Sequence, residues 1–127
     1  MFEKYFLDMA HVPLCNKNIQ MKKYILTTFS LPIEGMEIEY NKWYDEVHLH
    51  DVLNVPEIKT AQRFKPFPQS NLVKSPYLAI YEIETDEIER VIHAFQSGTY
   101  PMRASDAIAS ETVAIQFYEV TGDKLSS

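Results

Sequence analysis

The run Trp43-Tyr44-Asp45-Glu46-Val47-His48-Leu49-His50-Asp51 gathers in one place the groups that proton transfer needs. Histidine titrates near neutrality, and a carboxylate beside it can orient the imidazole. Asp45 stands three residues before His48, close enough on a helix for its carboxylate to approach the ring. That pairing would favour the imidazolium and raise its pKa. Asp51 is the second candidate for the same task. Further along, Arg63 or Tyr81 could steady negative charge on an enolate-like oxygen. If the chain is an enzyme, His48, Asp51, Arg63 and Tyr81 would together serve general acid-base chemistry. Each also has a plainer role. A histidine at a helix end interacts with the last carbonyls and the helix dipole, and Asp51 can cap a following short helix. Arg63 can be a solvated strand residue or half of a surface ion pair, and Tyr81 can be sheet core.

Other chemistries find less support. His48 and His50 could share a metal on a strand, but just past a helix their rings diverge and no third ligand stands out. No metal is expected. Gly35, Gly98 and Gly122 are the only glycines, which leaves no phosphate-cradling loop. Serine and cysteine nucleophile motifs are absent too, and no cofactor is expected.

The elements that must position these groups follow from periodicity. From Met36, the apolar residues Met36, Tyr40, Trp43, Tyr44 and Val47 form one helical stripe, with His48 at its edge. This first helix is expected to end near His48, with a turn or short helix over residues 51–54 before Pro56. Residues 22–31, rich in aromatic and β-branched side chains and closed by Pro32, read as a strand. Ile25, Thr27, Phe29 and Leu31 lie on one of its faces, and Tyr24, Leu26, Thr28 and Ser30 on the other. Residues 58–64 read as a weaker second strand, 65–76 as a loop and 77–84 as the clearest strand. Thr85, followed by Asp86 and Glu87, starts a second helix. Its buried stripe is Ile88, Val91, Ile92 and Phe95, and Ser97-Gly98 stops it. Residues 99–111 show no period, and 112–120 alternate as a last strand.

At 127 residues the chain is the size of one domain. Residues 1–21 form an N-terminal extension in which Phe2, Tyr5, Phe6 and Met9 suggest a short amphipathic helix ended by Pro13. The domain proper spans 22–121, and 122–127 are a tail. Cys15 is the only cysteine, so neither an internal disulfide nor a cysteine metal site is available. The formal charge is −6, with twelve Lys and Arg residues scattered along the chain. Nucleic acid needs concentrated positive charge, so it is not an expected partner. The longest apolar run, 77–81, is too short for a bilayer, and the N-terminus lacks a continuous hydrophobic signal region. Cytoplasm is the expected compartment.

The order strand-helix-strand, loop, strand-helix-strand is usually solved as a ferredoxin-like sandwich. The expected fold class is therefore α+β, a βαββαβ chain with a four-stranded antiparallel sheet. Both helices would cover one face, yet the strands are apolar on both. Leu26, Leu78, Ile80, Ala114 and Tyr118 are read as the set on the bare face, and such a patch marks an interaction surface. Two copies pairing sheet to sheet, a homodimer, would cover it, and a third layer made by the N-terminal extension is the competing explanation.

The run Asn41 through Pro56, with Thr60-Ala61-Gln62-Arg63-Phe64 and Tyr77-Leu78-Ala79-Ile80-Tyr81-Glu82, resembles the EthD-like branch of the dimeric α/β-barrel superfamily. The likeness covers roughly residues 22–121, and its most specific element is Trp43-Tyr44, three residues, then His48. It implies the ferredoxin-like fold and a dimer paired through its sheets. Relatives include cofactor-independent monooxygenases, polyketide cyclases and dehydratases, muconolactone isomerases and haem-degrading enzymes. His48 matches the histidine that relatives place near the mouth of a pocket between helices and sheet. His50 departs from the pattern, since relatives often carry proline there. The resemblance implies a small enzyme of lyase, isomerase, cyclase or cofactor-free monooxygenase type acting on a small apolar or aromatic, polyketide-like molecule. The alternative is a non-catalytic, ligand-binding or stress-associated dimer.

Overall fold

Strand β1 (Lys22–Pro32) lies inside the sheet, between β3 (Tyr77–Thr85) and β4 (Ile108–Glu119), and β2 (Ile58–Phe64) closes the edge beyond β3. The computed structural model describes residues 20–67 and 75–127. The expected N-terminal helix and part of the loop 65–76 lie outside the described residues. The order β2-β3-β1-β4 with antiparallel neighbours throughout is that of two interleaved β-α-β units, the ferredoxin-like α+β sandwich expected from the element order. Among the described residues no helix is long and apolar enough to cross a membrane.

Alternation decides which side chains meet the helices. Leu26 and Thr28 of β1, with Ala79, Tyr81 and Ile83 of β3, are buried in the layer beneath Tyr40, Trp43, Tyr44, Val91, Ile92 and Phe95. Leu26 pairs with Tyr81 on one side and Phe117 on the other. It therefore belongs to the helix-covered face and not to the bare set in which its apolar character had placed it. The opposite face carries Phe29 between Leu78 and Ala114, Thr27 beside Ile80 and Ile25 beside Tyr118. Phe29, Phe64 and Tyr118 are exposed there.

The first helix departs from expectation at its C-terminal end. Instead of stopping near His48 it runs from α1 (Glu37–Trp43) through a π-helical turn (Tyr44–His48) into α2 (Leu49–Leu53), with right-handed helical dihedrals at both junctions. A π turn adds a residue to the helical repeat and so shifts the phase of the buried stripe. The shift lets His48, Asp51 and Val52 all be buried, although a strict helical period would keep the stripe on Met36, Tyr40, Trp43 and Val47. Helix α3 (Ile88–Ser97) buries Val91, Ile92 and Phe95. It ends at Gly98, whose φ of 74° is the left-handed conformation that glycine adopts without a Cβ penalty.

β4 begins four residues ahead of its predicted start at residue 112. Its register against β1 slips between Phe29 and Leu31. At the slip the Thr112 hydroxyl accepts from the Leu31 amide at 2.9 Å and donates to the Ala109 carbonyl at 2.6 Å. A side chain thus stands in for a ladder bond at a bulge, which is why residues 108–111 show no strand alternation.

Candidate functional site

His48 closes the π turn and is 1% exposed. Its ring stacks on Trp43 at 4.7 Å between centroids and 23° between planes, and meets the Tyr44 ring edge-on at 5.1 Å. Burial disfavours the imidazolium and drives its pKa down to about 4, while the charge of Asp51 pulls weakly the other way. Near neutral pH His48 is therefore an uncharged imidazole. The raised pKa expected from an Asp45 pairing is not found. Asp45 is exposed and instead binds Arg63 Nη1 at 2.9 Å, a contact from the π turn to β2.

Asp51 lies one helical turn on, buried inside α2 rather than capping it. Its carboxylate accepts from the Arg103 peptide N–H at 2.9 Å, from Nε at 3.0 Å and from Nη2 at 2.6 Å. Those bonds hold its carboxyl below the usual carboxylate range. The Arg103 carbonyl accepts from Trp43 Nε1 at 3.0 Å. One residue of the connection between α3 and β4 is thus fastened both to the ring that stacks on His48 and to the carboxylate beyond it. Nothing in the sequence marks Arg103, which sits in the stretch without a period and 52 residues from its partner.

Beneath the helix, hydroxyls of the sheet meet phenols of the helix. Ser30 Oγ and Tyr40 Oη are 2.6 Å apart, and Thr28 Oγ1 and Tyr44 Oη 3.0 Å. Tyr81 is fully buried, and its burial raises the phenol pKa well above the ordinary value. Its hydroxyl feels the dipoles of Tyr44 and Thr28 but closes no hydrogen bond of good geometry with them. Arg63 lies behind Tyr44, its guanidinium 4.5 Å from that ring centroid and 5.2 Å from that of Tyr77. Besides Asp45 it donates to Asn41 Oδ1 at 2.8 Å. It is half of an ion pair, as the plainer reading had it, but stacked on tyrosine rings instead of solvated.

A cavity of about 10 Å³ lies between helices and sheet, lined by Leu26, Thr28, His48, Val52, Tyr81, Phe95 and Ile115. That is room for one water. Of the four residues picked from the sequence, His48 and Tyr81 line it, Asp51 stands behind His48, and Arg63 is outside. His50 is exposed on α2, and among the described residues no group of three His, Cys, Asp or Glu side chains could hold a metal ion.

No family model matches this sequence, and no curated protein matches it. Two solved structures do resemble the chain. One is a mutant of MhuD with two manganese protoporphyrin IX molecules bound per active site, 18% identical over 81% of this chain and 99% of its own, with a TM-score of 0.56. The chain has the ferredoxin-like fold. The second, a Bacillus cereus protein provisionally named as an antibiotic biosynthesis monooxygenase, is 12% identical over 83% of this chain and 99% of its own, with a TM-score of 0.43. At such identities a shared fold is what the first likeness establishes, and the chemistry must be argued from the site itself.

Proposed function

We propose that the cavity beside His48 is a ligand site, and that the protein is a small enzyme using acid-base chemistry on a small aromatic or polyketide-like molecule. The reaction is of lyase, isomerase, cyclase or cofactor-independent monooxygenase type. One observation carries the reading: a buried imidazole and a buried phenol line the same cavity between helices and sheet, whose remaining walls are apolar apart from Thr28. In this reading His48 takes a proton from the substrate, and Tyr81 faces the oxygen on which negative charge develops. Asp51, held by Arg103, supplies negative charge that favours the imidazolium once the proton has moved. Arg63 acts from behind Tyr44. The Trp43-Tyr44 and His48 spacing supports a place in the EthD-like branch.

The cavity walls come from the π turn, α2, α3, β1, β3 and β4, so binding requires these elements to separate. A site open only part of the time binds with an apparent affinity lowered by its open fraction. The porphyrin of the MhuD structure is not carried over, because at 18% identity the likeness shows the fold alone. The test is incubation in air with a panel of phenols, quinols and β-dicarbonyl compounds, followed by mass spectrometry of products. Turnover by wild type should fall by at least about 100-fold in His48→Gln. Equal turnover by the variant would remove His48 from the mechanism. Thermal stabilisation by a ligand without any product would identify a binding protein.

We also propose that two copies pair through the sheet face carrying Phe29, Phe64 and Tyr118, whose exposure is what supports it. Sedimentation should give twice the chain mass, and Phe29→Asp should give the single-chain mass with an unchanged circular dichroism spectrum. A wild-type monomer at micromolar concentration would end this proposal.

A further inference from the structure

Trp43, His48 and Asp51 share one side of their helix. The Trp43 ring stacks on His48, and Asp51 follows three residues on, where its charge is felt at the imidazole. The backbone of Arg103 reaches both ends of this set. Its carbonyl accepts from Trp43 Nε1 at 3.0 Å, and its N–H donates to Asp51 Oδ2 at 2.9 Å. Arg103 therefore crosses the side of the helix on which His48 stands, and its Nε and Nη2 add bonds of 3.0 and 2.6 Å to the same carboxylate.

The connection that carries Arg103 is held differently from the cavity walls. It leaves α3 at Gly98 and is tied down again where the Ile33 amide donates to the Ala107 carbonyl at 2.7 Å. Between those points it belongs to no helix or strand, although Tyr100 and Met102 rest partly buried against the core. Both hydrogen-bonded attachments described above between this connection and the His48 helix are made by Arg103. Its side chain is 63% exposed, whereas the Asp51 carboxylate it holds is 6% exposed. Water competes for such a guanidinium, so this attachment opens more readily than the backbone ladders of the walls. Its release also frees the N–H that pins the Trp43 ring, and a side chain can swing off His48 without breaking any ladder.

We infer that the connection between α3 and β4 is the movable cover of the His48 cavity, and that Arg103 is its latch, a positioning residue closed on Asp51 and on the Trp43 ring. On the reading above, this is the way a substrate enters. The test reads access to His48 and not turnover, so either idea can fail without the other.

Diethyl pyrocarbonate acylates neutral imidazole, and peptide mass spectrometry gives a rate for each histidine. When opening is fast, the rate at a covered group follows its open fraction. In wild type His48 should react at least about 10-fold more slowly than His50 and His93, both exposed. Arg103→Met keeps the length of the side chain and the backbone bonds but removes the guanidinium. It should speed His48 by about 10-fold, the low end for hydrogen bonds to a charged group because this one is partly in water, and leave His50 and His93 unchanged. Hydrogen exchange should quicken over residues 99–107 and stay as it was in β1 and β3. Arg103→Lys keeps the charge without the paired donors, and its His48 rate should fall between wild type and Arg103→Met. An unchanged His48 rate in both variants would overturn the inference. So would exchange in β1 and β3 that quickens in step with His48, because the opening would then be unfolding of the domain and not movement of a cover.

Discussion

Between pH 7 and pH 4 the wild-type fold should lose about 3 kcal/mol that a His48→Gln variant keeps, the worth of holding one imidazole more than two pH units below its ordinary pKa. The folded-state value is about 4 against an ordinary 6.5. Between these limits the unfolded chain carries a proton on His48 that the folded chain refuses. Unfolding therefore takes up a proton, and stability rises with pH across this window. The contribution is fully present above about pH 6.5 and is lost as pH falls toward 4. Asp51, with a lowered carboxyl pKa set mainly by Arg103, loses its own contribution at more acid pH, so the imidazole dominates the difference between the two proteins above pH 4. Urea midpoints by circular dichroism at half-unit pH steps measure the slope. Trp43, the only tryptophan in the chain, stacks on His48, so its fluorescence should report protonation of that ring directly. Parallel stability curves for wild type and His48→Gln would show that His48 titrates normally and is not sealed from water.

What could be read in advance follows the range of the forces involved. The bounds of β2 are legible in the sequence because its alternation is local, and the end of α3 because Ser97-Gly98 stops it within one turn. Leu26 was placed on the wrong face because a strand apolar on both sides offers two equivalent assignments. Only its pairing with Tyr81 and Phe117 resolves them. The helix was cut short because a π turn is invisible to a 3.6-residue template, and that turn is what buries His48 and Asp51 together. Periodicity did locate the histidine. Its ionisation state was misjudged, since Asp45 is close in sequence but bonded to Arg63. Arg103 had no local mark at all, because its partner Asp51 is 52 residues away.

Removing the Trp43 side chain should be the most damaging single substitution at the site. Trp43→Ala should cost about 3–5 kcal/mol, the range for a large aromatic deleted from a packed interior. The residue is only 8% exposed, so its neighbours must collapse into the space or leave a void. Trp43→Phe keeps a ring against His48 and Tyr44 but loses the N–H that binds the Arg103 carbonyl. It should cost about 1–2 kcal/mol, one hydrogen bond and a modest loss of volume. In Trp43→Phe the Asp51 bonds still hold Arg103, so hydrogen exchange between residues 99 and 107 should quicken only slightly. In Trp43→Ala it should quicken strongly, because the surface under the connection is gone. Water reaching His48 through the same gap restores the hydration that burial removed and brings the imidazole back toward its ordinary pKa. The acid slope described for wild type should then shrink in Trp43→Ala and persist in Trp43→Phe. If the two variants lost equal stability, the hydrogen bond to Arg103 and not the packed ring would be what Trp43 contributes, and the sealing of His48 would need another cause.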